Sequence, residues 1–136
     1  MPENERLNIF ISHAVDDRQF AETLRQALTL TDHPVDVFDP YKDVKVGDDW
    51  SAVVEDKIRD SDVFVYIVAG KAGLGKASLY EVGAAKALGK RIVAVLPNSS
   101  RVANTEVAAR LADDLVLDAD SKPTSEIVRK ILGKAA

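Results

Sequence analysis

Two segments of this chain, residues 62–69 (DVFVYIVA) and 91–96 (RIVAVL), read as strands that are apolar on both faces. A strand with one face in water alternates apolar and polar side chains, so these two must be covered on both sides. That requirement selects a parallel sheet held between two helical layers. Residues 7–12 (LNIFIS) form a third such run, ending in the small polar Ser12, and residues 35–38 and 115–117 add two more short strands. Helical patterns alternate with them. Phe20, Leu24, Ala27 and Leu28 recur at helical spacing within residues 16–30. Trp50, Val53, Val54 and Ile58 do so in the next helix, residues 79–88 form a third, and residues 105–112 a short fourth. Ile127, Val128, Ile131 and Leu132 mark the last, with Pro123 near its start and Gly133 at its end.

Strands alternating with helices predict an α/β fold: a flavodoxin-like three-layer sandwich whose five-stranded parallel sheet runs in the order 2-1-3-4-5. The switch point then lies between the first and third strands. The segments that follow them, residues 12–17 and 70–77, converge on one crevice beside the third helix. Residues 39–49 (DPYKDVKVGDD), polar and carrying Pro40 and Gly47, read as a loop.

At 136 residues the chain is expected to be one domain, spanning 1–136. A net charge of −4 without a basic block argues against nucleic acid as the main partner. No apolar run approaches the ~18 residues of a membrane span, and the N-terminus lacks the pattern of a signal peptide. The absence of cysteine excludes disulfides and thiolate metal sites, and fits a cytoplasmic protein. With His13 and His33 as the only histidines, no metal site is expected.

Glu81 lies at the predicted crevice, near the start of the third helix. Two readings stand side by side. Ser78-Leu79-Tyr80-Glu81 fits a capping box, in which Ser78 and Glu81 satisfy each other's backbone N–H groups. Alternatively the carboxylate faces a ligand; one carboxylate cannot do both at once. Residues 70–76 match the first seven positions of a phosphate-binding P-loop, but Ala77 stands where Ser or Thr would hold magnesium. The plainer reading is a glycine-rich connection whose amides approach a phosphate. A response-regulator receiver needs an acceptor aspartate at the end of the third strand, which here ends Val68-Ala69. Asp16 and Asp17 then serve as helix-start carboxylates. His13 either contacts a ligand or is a hydrogen-bonded structural group. Trp50 either packs at its helix start or stacks on a flat ring.

In order along the chain, several short motifs resemble the prokaryotic TIR (Toll/interleukin-1 receptor) domains. Phe10-Ile11-Ser12-His13 is similar to the family's first box. Residues 39–49, closing on Gly47-Asp48-Asp49-Trp50, are similar to its BB loop with the G-x-x-W ending. Residues 59–65 (RDSDVFV) resemble the lead into the third strand. Glu81-Val82-Gly83-Ala84-Ala85, followed by Gly89-Lys90-Arg91-Ile92-Val93, resembles the helix that carries the family's catalytic glutamate. Many TIR enzymes have a tryptophan four residues before that glutamate, where this chain has Ala77. The pattern Ser78-x-x-Glu81-x-Gly83 is also similar to nucleoside 2-deoxyribosyltransferases. Both families act at an N-glycosidic bond on a ribose-like ring.

The TIR resemblance implies NAD⁺ as substrate, with no further cofactor, and a glycohydrolase or cyclase reaction. Nicotinamide on C1′ is already cationic and leaves without a general acid. The reaction needs a carboxylate to stabilise the positively charged ribose or to attack it, and Glu81 would be that group. Ser78, three residues earlier on the helix, is the closer flanking contact. Ser12, His13, Gly70 and Gly73 would contact ribose and phosphates, and Phe38 or Trp50 would stack on a base. Pro40, Tyr41, Lys42, Lys45 and Gly47 would form an interaction loop that completes a neighbouring protomer's site, with the two lysines supplying positive charge in trans. Self-association would switch activity on. A separate sensor or effector protein, and a setting in bacterial antiphage immunity or virulence, are implied in the same way. Two alternatives stay open: a non-catalytic TIR adaptor working through TIR–TIR contacts, and a deoxyribosyltransferase-like enzyme using the same glutamate.

Overall fold

Every strand register in this protein is parallel, so each consecutive pair of strands must be joined by a crossover on one face of the sheet. A computed structural model describes residues 6–13, 17–67, 76–96, 115–118 and 123–133, with backbone alone at 76–80 and 115–118. β1 (Leu7–Ser12) leads to α1 (Arg18–Thr29), β2 (Val35–Phe38), a short α2 (Pro40–Asp43) and α3 (Trp50–Asp60). Then come β3 (Val63–Ile67), α4 (Lys76–Ala87), β4 (Arg91–Leu96), β5 (Leu115–Asp118) and α5 (Thr124–Leu132). The sheet has five strands in the order β2-β1-β3-β4-β5, as the sequence pattern predicts.

The alternation of side chains along the strands sorts the core into two layers. Ile9, Ile11, Val63, Val65, Ile67, Val93 and Val95 face α1 and α5, against Leu24, Leu28, Ile127 and Ile131. Phe10, Phe64, Tyr66, Ile92, Ala94 and Leu96 face α3 and α4, against Val54, Ile58, Val82 and Ala85. β3 is buried at every position, which is why its sequence cannot alternate. Each fully buried aliphatic side chain contributes about 1.5–3 kcal/mol. The small side chains of Ala85 and Ala94 let α4 lie close on the sheet, and α4 is the helix that carries Glu81.

Two expectations are corrected here. Residues 39–49 are not loop throughout: Asp39 caps α2 by accepting the Tyr41 N–H at 3.0 Å, and Pro40 opens the helix. Aspartate before proline is a helix-start pair, because proline lacks the N–H that a first turn leaves unused. α4 begins at Lys76, three residues before the expected start, so its first turn holds no acidic residue. The glycine segment through residue 75, the predicted helix at 105–112, Val68-Ala69 and Asp16 lie outside the described residues.

The remaining turns follow local chemistry. The Asp48 N–H donates to Lys45 O at 3.0 Å across a turn in which Gly47 has φ +96°. Asp49 then caps α3 by accepting from the Ala52 N–H at 3.2 Å. At the end of α4, Gly89 takes φ +70°. Its N–H donates to Lys86 O, and the Lys90 N–H donates to Ala85 O, both at 3.0 Å. These are the two bonds of a Schellman cap, and β4 starts directly after it. A Cβ at Gly89 would meet nothing within 4 Å, so only backbone strain opposes a side chain there. Gly89→Ala is therefore expected to lower the unfolding free energy by about 1–2 kcal/mol, read as a lower urea midpoint at unchanged slope.

Candidate active site

Ser12 ends β1 on the face that looks toward α3 and α4, beside Tyr66 of β3 in the register. From α4, Glu81 reaches this strand end. The Ser12 hydroxyl donates to Glu81 Oε1 at 2.7 Å, and both residues are buried, Glu81 to 4% exposure. Because α4 starts at Lys76, Glu81 stands in the second helical turn, beyond the reach of a capping box. Among the described residues, this carboxylate is tied to the end of β1. Ser78 lies on α4, but its side chain is outside the described residues, as are Gly70 and Gly73.

Burial is the largest influence on Glu81 and raises its carboxyl from an ordinary 4.5 to about 7. The Ser12 hydrogen bond and the charge of His13 pull the other way, while Asp39 adds to the rise. Glu81 is thus divided between its acid and its carboxylate near neutrality. Tyr66 lies in the same field. Burial first, then Asp17 and Glu81, hold its phenol protonated far above the usual range.

His13 points to the other side of the strand end and is 1% exposed. Its Nε2 lies 2.9 Å from both carboxylate oxygens of Asp39. An ionised carboxylate only accepts, which assigns the proton to Nε2. The Tyr41 ring packs on the imidazole at 5.1 Å, and Trp50 on Tyr41 at 5.7 Å. A cleft of about 610 Å³ opens here, lined by His13, Arg18, Gln19, Glu22, Asp39, Tyr41 and Lys42. Glu81 does not line it, yet its field reaches the cleft: after burial, Glu81 is the strongest influence raising the Tyr41 hydroxyl.

The other expected residues divide. Trp50 is 38% exposed and rests on Tyr41, so it is a rim residue and not a buried helix anchor. Phe38 is turned away: its ring sits on Phe10 at 5.4 Å and beneath the Lys57 ammonium, and it lines a separate groove along the edge strand β2. Pro40 is buried as the first residue of α2, so it belongs to the helix start and not to an interaction surface. Lys42 Nζ sits 2.8 Å from Glu22 Oε1, which answers its charge within its own chain. Tyr41, Lys45 and Gly47 are exposed, and Val46 at the turn projects fully into solvent. No group of three or more potential metal ligands occurs among the described residues.

Asp39 is the site residue that sequence reasoning missed. Its signal was the Asp39-Pro40 pair, a helix start in a segment taken for loop. Its closeness to His13 depends on the parallel register of β1 and β2, which places the ends of the two strands side by side.

The chain matches the TIR domain family over residues 9–132 and belongs to it. A search of curated proteins returned no match. Among solved structures it is similar to the CMP N-glycosidase BcmB of Clostridium botulinum, with a TM-score of 0.59 and 18% identity over 90% of this chain and 96% of that one. It is also similar to a 2-desoxiribosyltransferase from Leishmania mexicana, with a TM-score of 0.55 and 19% identity over 68% of this chain. It spans 65% of that enzyme's length. At these identities the likeness is one of fold. No helix among the described residues is long and apolar enough to cross a membrane.

The raised carboxyl carries a stability consequence. From pH 4.5 to about 7 the unfolded chain releases the Glu81 proton while the folded chain keeps it. The folded state binds more protons there, so stability falls with rising pH and levels off above about 7. Over that span the effect is on the order of 3 kcal/mol. Glu81→Gln keeps an acceptor for Ser12 and removes the ionisation. The variant is expected to gain stability relative to the parent between pH 5 and pH 8, measured by urea unfolding at both.

Proposed function

We propose that this TIR domain is an enzyme that cleaves an N-glycosidic bond at a ribose, with NAD⁺ as its substrate and Glu81 as the group that acts on the ribose. The observation that carries this reading is the buried Glu81 carboxyl, tied to the sheet by Ser12 and poised near neutrality. Its burial opposes the ionised form, so a nearby positive charge strengthens its hold on a proton-free state. A cationic nicotinamide riboside and the oxocarbenium-like ribose derived from it supply that charge. The C1′–N bond breaks with its electron pair going to nicotinamide, which leaves neutral. Glu81 stabilises C1′ or bonds to it, and water then adds there, giving up a proton. The Ser12 hydroxyl occupies Oε1, which leaves Oε2 to face the sugar.

The names of the fold neighbours, an N-glycosidase and a desoxiribosyltransferase, support chemistry at a glycosidic bond. They leave a neutral-base substrate such as a nucleotide or deoxynucleoside as an alternative. Nicotinamide is preferred because it needs no acid to leave, and Asp39, the other carboxylate beside His13, is already committed to that imidazole. In this reading the exposed Tyr41 and Trp50 rings offer a surface for a flat base. Self-association through the segment around Val46 completes the site, Lys45 being its exposed cation. A non-catalytic adaptor is the second reading, favoured by the same exposed Tyr41, Val46 and Trp50.

Concentrated protein incubated with NAD⁺, and in parallel with CMP and a deoxynucleoside, is expected to release nicotinamide alone. Glu81→Ala should lower the rate by about 10³-fold or more, the scale set by loss of a principal electrostatic group. Nicotinamide release unchanged in the variant, or absent from a folded, self-associated parent, would sink the hydrolase. The adaptor predicts instead that Val46→Asp abolishes TIR–TIR binding while Glu81→Ala leaves it intact.

A further inference from the structure

Asp39, itself buried, makes three contacts that belong to different parts of the fold. Its backbone N–H donates to Asp43 Oδ2 at 2.9 Å, and its Oδ1 caps α2 through the Tyr41 N–H. Its two oxygens together hold His13 Nε2. Asp43 is in turn gripped from α1 by Arg25, at 3.1 Å from Nη1 to Oδ2. A continuous set of polar contacts therefore runs from α1 through Asp43 and Asp39 to His13. His13 directly follows Ser12, whose hydroxyl holds Glu81.

We propose that Asp39 is a positioning residue for Glu81: by clamping His13 it fixes the end of β1, and it passes the placement of α2 on to the Ser12–Glu81 pair. This rests on the reading of Glu81 as the reacting group. Ser12 and His13 are consecutive residues at one strand end, so holding the imidazole in place also anchors the main chain that aims the Ser12 hydroxyl. A 5% exposed carboxylate held to an imidazole by both oxygens leaves little freedom for such a shift. A cap alone would not call for His13, since the Tyr41 N–H occupies only Oδ1.

Asp39→Asn separates the two roles. Asparagine caps helices as well as aspartate does, so α2 and the fold are kept, but a neutral amide no longer holds the imidazole as an anion. The variant is expected to lower kcat for nicotinamide release by about 10- to 100-fold, the cost of a misplaced reacting group, with KM changed by less than about twofold. Carbon-13 spectra of labelled glutamate should show the Glu81 carboxyl titrating higher by about half a pH unit or more, because a loosened Ser12 hydrogen bond raises it whereas loss of the Asp39 charge alone would lower it. Arg25→Ala, which loosens α2 without touching the site, should move that midpoint in the parent and produce no further movement in the Asp39→Asn chain. Independent, additive effects of the two changes overturn the proposal, and so does a Glu81 midpoint that stays put or falls in a folded Asp39→Asn chain. If the parent proves inactive on NAD⁺, the reading of function fails by itself and the Glu81 midpoint alone decides the role of Asp39. If the asparagine variant does not fold, Arg25→Ala decides: a midpoint that stays put refutes the transmission.

Discussion

The desolvation of Glu81 is the constraint around which the rest of this structure is arranged. A carboxyl placed between a sheet and a helix costs free energy on ionisation, and the protein offsets only part of that cost with Ser12 and the charge of His13. The arrangement needs a strand that ends in a small hydroxyl residue, a helix close enough to reach it, and a polar group on the reverse side of the same strand end. β1 supplies the first and third in two consecutive residues. α4 supplies the second, because Val82 and Ala85, the residues packed against the sheet next to Glu81 along the helix, let it approach.

Much of the fold could be read from the chain because burial dictates it. Segments 63–67 and 91–96 are apolar at nearly every position, and only an interior parallel strand accepts that. The same pattern ordered the strands and placed the crevice. Boundaries were harder. Nothing in the Lys76-Ala77-Ser78 run marks it as helix more strongly than the residues after it, and Ser78-x-x-Glu81 imitates a start signal. α2 was hidden because four residues are too short to show a period. At the site, Ser12 and His13 follow from their place at the end of β1, while Glu81 lies a turn deeper in α4 than its Ser78-x-x-Glu81 pattern suggests. Phe38 was misjudged because its position on β2 gives no sign of which groove its ring enters. The Asp39–His13 contact joins residues far apart in sequence and follows from strand pairing alone.

The two helical layers meet the strand end differently. Toward α3 and α4 the described contact is the Ser12–Glu81 hydrogen bond inside an apolar layer. Toward α1 and α2 it is a set of charged groups, with Asp39, Asp43, Arg25, Glu22 and Lys42 linked in two short ladders. Surface ion pairs are individually weak, about 0–1 kcal/mol each. Here their value is geometric: they lay a four-residue helix, too short to hold itself, onto α1.

The turn at Lys45–Asp48 is bounded on both sides by such fastenings, Asp43 held by Arg25 before it and Asp49 capping α3 after it. Between them residues 45–48 are exposed, and Val46 stands wholly in water. A turn tied at both ends, closed on itself by the Lys45–Asp48 hydrogen bonds and exposed at its tip can diverge without disturbing what lies beneath it. Substitutions at its tip change the surface that the domain presents while the buried carboxylate keeps its place.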